Sequence, residues 1–255
     1  MILDKIVETK RKEVELLKEK LKLPLKHFEL AKIRRFRKAL IGHGVKLIAE
    51  TKAASPSAGI IFKKYSPVTN AKAFEKAGAS AVSVLTDAKY FHGGIGDMTK
   101  VKASIKLPVL RKDFIIDASQ IYESRLAGAD AILLIARILK EGQLEYLIRT
   151  ASDLGMDAFV EVHSSKEAVL AIESGAEIIG INNRDLDTLK VDLRTTLNII
   201  NEVPDLRNKI IVSESGIKTK EDINLLKSAG VNAVLVGEAI LKSRNMKEKI
   251  KELIG

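Results

Sequence analysis

Glu50, Lys52, Lys112, Glu161, Asn182 and Glu214 stand at or just beyond the carboxyl-terminal ends of five different short apolar runs. A lysine held near carboxylates, where water is excluded, can donate a proton or clamp a developing negative charge. A glutamate beside it can accept a proton or balance a cation. Such a set points to acid–base chemistry on a negatively charged substrate. The chain has no cysteine and four histidines, which excludes thiolate catalysis, cysteine-bound zinc and disulfides. No His/Asp cluster has metal-ligand spacing, so no metal is expected. Taken singly, each residue has an ordinary reading. Glu50 could be an ion-pair partner of Lys52 or Lys112, and a lone lysine at a strand end is more often solvated than catalytic. Arg111 and Asp113 flank Lys112 and should face the other way, as structural residues. His163, two positions after Glu161, either shares its face or caps the next helix. The argument for a site is that independent runs aim these groups to one place.

The elements that must position them follow a rhythm. From Lys46 onward, eight runs rich in Val, Ile and Leu alternate with amphipathic stretches of helical length. The runs are 46–50, 81–85, 108–112, 131–135, 158–162, 178–182, 210–214 and 233–237, each short and continuously apolar as buried parallel strands are. The intervening stretches include 68–77, 119–127, 139–154, 165–174 and 220–228. Several run into a glycine, such as Gly78 or Gly230, that can end a helix in the left-handed conformation. Eight such units close a (β/α)8 barrel, whose chemistry collects at the carboxyl ends of the strands. The competing open doubly wound sheet would carry a glycine-rich turn after its first strand, whereas residues 51–57 read Thr-Lys-Ala-Ala-Ser-Pro-Ser. Residues 1–255 are therefore expected to form one α/β barrel domain, with residues 1–45 as a helical extension. In the extension, Ile2, Leu3, Ile6, Val7, Val14 and Leu17 approximate one helical face. Beyond Pro24, the apolar residues Phe28, Ile33, Phe36 and Leu40 suggest a further short helix or two.

Barrels often hold phosphate with the loops after strands seven and eight and the start of a short helix. Those loops here contain Ser215, Gly216, Gly237 and Glu238. The two glycines allow backbone to approach an anion, and helix-start amides donate to it. The alternative is that both merely relieve tight turns. Ser55 and Ser57, across the mouth, could add hydroxyl donors. Glu238 would repel a phosphate unless its carboxylate pointed away.

The net charge of +10 invites a nucleic-acid reading, but its placement argues against one. Lys and Arg outnumber Asp and Glu by 14 to 6 in residues 1–46, and by only 29 to 27 in the rest. With no tryptophan and 4% aromatics, stacking platforms are scarce. The basic excess reads as a solvated helix or as attraction for an anionic small molecule. No segment has the length and apolarity of a signal peptide or membrane span. The expectation is a cytoplasmic protein, monomeric or homodimeric, whose partner is a phosphorylated small molecule and neither nucleic acid nor membrane.

Five ordered segments resemble the indole-3-glycerol-phosphate synthase family. The most specific is Ile48-Ala-Glu50-Thr-Lys52-Ala-Ala-Ser-Pro-Ser57, in which Glu-x-Lys precedes Ser-Pro-Ser. The others are Leu85–Gly94, Lys112-Asp-Phe114, Ile179–Leu186 and Ser213-Glu-Ser-Gly-Ile217. The resemblance spans essentially the whole chain, including the amino-terminal helices. It departs at Thr51, usually apolar in the family, and at Ala53, often basic or polar. It implies ring closure, decarboxylation and dehydration of 1-(o-carboxyphenylamino)-1-deoxyribulose 5-phosphate, without a cofactor, in tryptophan biosynthesis. By the same resemblance, Lys112 is the general acid at the substrate carbonyl oxygen. Lys52 holds the anthranilate carboxylate and is a candidate acid in dehydration. Glu161 is the base or cation stabiliser, supported by Glu50, Asn182 and Glu214. Phe91, Phe114, Leu133 and Ile135 are candidate apolar walls for the anthranilate ring. Arg184 joins Ser55, Ser215, Gly216, Gly237 and Glu238 among the substrate-binding residues. The sharing of dehydration among Lys52, Lys112 and Glu161 stays open.

Overall fold

The computed structural model describes residues 2–20, 29–55, 59–60 and 65–255, and only the backbone of residues 55, 60 and 141. Eight parallel strands form its centre: β1 (Lys46–Thr51), β2 (Ala81–Leu85), β3 (Val109–Lys112), β4 (Ala131–Ile135), β5 (Asp157–Val162), β6 (Ile178–Asn182), β7 (Ile210–Glu214) and β8 (Ala233–Val236). They hydrogen-bond in order around a closed ring, with β1 pairing both β2 and β8. The continuous apolar runs become strands because they are covered on both faces. One face packs inside the ring, where Ile48, Leu110, Leu133, Phe159, Val212 and Leu235 form a cluster. The other packs under the helices, as Leu47, Val82, Ile132, Val160, Ile179 and Val234 do.

The same alternation continues past the cluster to the polar residues. Two positions beyond Ile48, Leu110, Phe159 and Val212 come Glu50, Lys112, Glu161 and Glu214, so these side chains leave the strands on the interior side. Strand register sets them at a common height: Leu85 pairs with Lys112, Ile135 with Glu161 and Asn182 with Glu214.

Helices fill the crossovers where the amphipathic stretches fall, including Pro67–Ala77, Ala118–Leu126, Glu141–Asp153, Ser165–Glu173 and Lys220–Ser228. Gly78 ends the first of these at φ +100°, and Gly230 follows the last at φ +88°, a conformation that costs other residues about 1–2 kcal/mol. A short hairpin, Ala54–Ser55 against Gly59–Ile60, follows β1 and has no counterpart in the strand pattern.

The first helix of the extension departs from the expected face, and one further short helix follows it. The first, Ile2–Lys20, buries Leu3, Ile6, Lys10 and Val14, whereas Ile2 is exposed and Val7 and Leu17 are half-buried. A lysine therefore occupies the middle of the apolar stripe. After it, the only described helix before β1 is the four-residue Phe36–Ala39. Residues 29–35 carry no helix because their polar groups bond to the barrel instead. The Arg34 amide donates to Asp130, and its guanidinium donates to the carbonyls of Lys102 and Leu107. Phe28 lies outside the described residues. Phe36 and Leu40 are fully buried in the interior cluster and close the barrel at the end away from the mouth. Among the described residues no helix is long and apolar enough to cross a membrane.

Candidate functional site

A cavity of about 780 Å³ opens at the carboxyl ends of the strands. Glu50, Lys52, Lys112, Glu161, Asn182 and Glu214 all line it, as do Phe91, Phe114, Leu133, Ile135, Arg184, Ser215, Gly216, Gly237 and Glu238. Among the sequence-derived binding residues, the Ser55 side chain and Ser57 lie outside the described residues.

Lys112 is the centre of the charge arrangement. Its ammonium donates to Glu161 Oε2 at 3.1 Å and to Glu214 Oε2 at 2.8 Å. Burial works against its charge, but Glu161 and Glu214 outweigh that penalty and raise its pKa. The two carboxylates respond in opposite senses. Glu161 is buried, yet Lys112 and His163 hold it well below the usual carboxylate range. Glu214 is pushed up to about 7 by burial, which Lys112 only partly offsets and the Glu161 charge reinforces. Two carboxylates sharing one cation thus separate into a permanent anion and a group that titrates near neutrality. Gly180, on the strand between them, makes this packing possible. A Cβ there would fall 2.2 Å from the Phe159 ring and 2.4 Å from Glu214 Oε1.

Asn182 donates to Glu161 Oε1 at 3.2 Å, and its own oxygen accepts the Arg184 amide at 3.0 Å. Lys52 pairs with Glu50 at 2.5 Å, on the side of the mouth where β1 meets β8. Phe91 and Phe114 stand as tilted rings with centroids 6.0 Å apart, and Leu133 and Ile135 form the apolar floor.

The other end of the mouth is lined by a turn. Ser215 and Gly216 are consecutive residues of positive φ, +68° and +83°. Ser215 holds this conformation because Asn183 donates to both the Glu214 and Ser215 carbonyls, at 2.9 and 3.1 Å. Gly237 precedes the short helix Glu238–Leu241, and Lys218, Lys242 and Lys249 border the same region. The Glu238 carboxylate accepts from Lys242 at 2.6 Å, which neutralises the charge that would repel an anion. Arg111 lies outside the cavity lining, whereas Asp113, expected to face away, borders the cavity, and the two pair with each other at 3.1 Å.

Three residues matter here beyond the candidate catalytic and binding set. His163 stands behind Glu161 with Nε2 at 3.2 Å from its Oε1; the two-residue spacing already allows that shared face. Asn183 supports the Ser215–Gly216 turn, with only its polar type in a strand end as a signal. Lys10 reaches Asp113 from the extension at 2.9 Å, and its sequence signal is a charge inside an apolar helical stripe.

Residues 3–253 match the family model for indole-3-glycerol phosphate synthase. The chain is 46% identical over 263 residues to the indole-3-glycerol phosphate synthase of Endomicrobium trichonymphae, covering 99% of each protein. It is 48% identical over 220 residues to that of Aquifex aeolicus, covering 86% of this chain and 85% of the other. In shape it is similar to a 3-hexulose-6-phosphate synthase (TM-score 0.65, 15% identity, 82% of this chain and 98% of that one). A thiamine phosphate pyrophosphorylase from Pyrococcus furiosus is also similar (TM-score 0.61, 16% identity, 82% and 93%). Those two likenesses show the fold alone, whereas the Endomicrobium relative covers nearly the whole chain. The chain belongs to the indole-3-glycerol phosphate synthase family.

Proposed function

We propose that this mouth carries out its family's reaction on 1-(o-carboxyphenylamino)-1-deoxyribulose 5-phosphate, with Lys112 as the central acid. The phosphate lies against the Ser215–Gly216 turn and Gly237, and the aromatic ring lies against the Phe91–Phe114 pair above Leu133. Arg184 and Lys52 approach from the rim, Lys52 toward the anthranilate carboxylate. As the ring carbon bearing that carboxylate attacks the sugar carbonyl, the carbonyl oxygen takes a proton from Lys112. Positive charge then develops on the ring system, and Glu161, held anionic, balances it. Loss of carbon dioxide restores the aromatic ring. Dehydration then needs a proton on the departing hydroxyl and a base for the proton lost from the adjacent carbon. Lys112, Lys52 and Glu161 are all within the mouth for those roles. Glu214, ionised above about pH 7, holds the Lys112 ammonium in place between steps.

The observation that carries the reading is the Lys112 ammonium suspended between Glu161 and Glu214. It keeps the acid charged and aimed into the cavity. Glu50 and Asn182 orient Lys52 and Glu161 respectively. The partner is a phosphorylated small molecule, and a chain without cysteine suits a cytoplasmic setting. Incubation with the substrate tests the reading directly. Indole fluorescence and released carbon dioxide should appear in equal amounts, and substrate that stays unchanged overturns it.

A further inference from the structure

Lys10 lies on the buried stripe of the amino-terminal helix, and its side chain is 3% exposed. Lysine is almost never so deep unless paired. Its ammonium lies 2.8 Å from Asp87 Oδ2 and 2.9 Å from Asp113 Oδ1, with the exposed Glu13 at 2.8 Å on the outer side. Burial opposes the charge on Lys10, but Asp113, Asp87 and Glu13 together outweigh it and raise its pKa. Asp113 is lowered to about 2, because Arg111 and Lys10 outweigh its burial.

Each aspartate holds a wall of the mouth. Asp87 Oδ1 accepts the amides of Tyr90 and Phe91, at 2.6 and 3.2 Å, and so starts the short helix Ala88–Phe91. Asp113 sits between Lys112 and Phe114 in the chain, and its Oδ1 accepts the Phe114 amide at 2.8 Å. One ammonium therefore ties the turn carrying Phe91 to the strand end carrying Lys112 and Phe114, beside the Thr86 hydroxyl, which donates to Asp113 Oδ2 at 2.5 Å. The helix that supplies it also lines the cavity through Leu3 and Ile6.

We propose that Lys10 is a positioning residue: by bridging Asp87 and Asp113 it sets the placement of the Phe91 and Phe114 rings against the cavity and the direction from which Lys112 meets the substrate. This rests on the reaction assigned above, which turnover by the parent protein tests separately. Without the ammonium, Asp87 and Asp113 become like charges at close quarters and the two turns move apart. The anion-binding turns on β7 and β8 are built from other elements and should keep their shape.

The test is Lys10→Met in the full chain, which keeps the stem and removes the charge. Misplacement of a catalytic group by about 1 Å can cost on the order of 100-fold, so kcat/KM should fall about 10- to 100-fold, with kcat lowered and KM raised. Inhibition by inorganic phosphate should change by less than about twofold, since sites that share no partners respond independently. Lys10→Met combined with Asp87→Asn balances the buried charge while leaving the bridge absent, and the Asn oxygen can still accept the two amides. It should regain thermal stability without regaining kcat/KM, and it carries the test if the single variant does not fold. The proposal is overturned if a folded variant keeps the parental constants. It is equally overturned if phosphate inhibition weakens in proportion to kcat/KM, or if neither variant folds, because Lys10 would then serve the fold alone.

Discussion

His163 Nε2 lies 3.2 Å from Glu161 Oε1, and its Nδ1 lies 3.3 Å from Glu167 Oε2, so a buried imidazole stands between two carboxylates. Burial opposes its charge, but Glu161 and Glu167 outweigh that and raise its pKa from 6.5 to about 9. A group whose folded pKa is raised stabilises the fold fully below its unfolded pKa and loses that contribution as pH rises through the folded one. The stabilisation by His163 is therefore complete below pH 6.5 and gone above about 9. Denaturant midpoints measured across that window should fall in the parent and stay flatter in His163→Gln. Equal slopes in the two proteins would reject a charged His163.

The acid limb of the kcat/KM profile should belong to Glu214, which is the carboxyl pushed up to about 7. Free-enzyme groups govern that profile. Activity should decline as pH drops below about 7 in the parent, and the limb should disappear in Glu214→Gln. In Glu161→Gln, kcat should fall strongly with little change in KM. There the limb should move to lower pH, because Glu214 loses a repelling neighbour. A limb unchanged in Glu214→Gln would assign it to another group.

Replacing Lys112 with Ala should lower kcat by about 10²–10⁴-fold from loss of the acid alone. It also leaves Glu161 and Glu214 without their shared cation. Glu214 then titrates higher still, so the variant's stability deficit should widen as pH rises above neutrality. Thermal unfolding at pH 6 and pH 8 measures this. Activity within a few-fold of the parent would remove Lys112 from its role.

Two glycines should fail for different reasons. Gly216→Ala places an L side chain at φ +83° with its Cβ 2.5 Å from Val191 Cγ1. It should cost about 1–2 kcal/mol of stability and weaken phosphate binding. Gly237 has φ −119°, so Gly237→Ala should fold normally. Its methyl would meet Glu50 Oε1 at 2.7 Å, which should disturb the Glu50–Lys52 pair and raise KM. Calorimetry with a phosphate titration separates the two cases.

The strands were readable because burial on both faces leaves no room for polar residues, so β4 appears as Ala-Ile-Leu-Leu-Ile without interruption. Their polar ends were readable for the same reason: a Lys or Glu that breaks such a run has to be at the mouth or paired. Helix spans agreed within a residue or two, helped by stops such as Gly78. What remained hidden depends on partners far away in the chain. Residues 29–35 have apolar spacing that suits a helix, but Arg34 finds acceptors at Lys102 and Leu107 that no local pattern reveals. Lys10 interrupts an apolar stripe, but its partners Asp87 and Asp113 lie far along the chain. The opposite behaviour of Glu161 and Glu214 arises from shared distances to Lys112 and His163, which exist only once the ring closes.

The seam between β1 and β8, where Lys46 pairs with Ala233 and Ala49 with Val236, makes the ring an all-or-none object. Until β8 docks, β1 and β7 each present an unpaired apolar edge, the kind of surface on which chains aggregate. Glu50 meets Gly237 across that same seam, so closing the ring also completes one wall of the mouth. During refolding, recovery of helical signal can run ahead of it, and the return of turnover marks the moment the ring shuts.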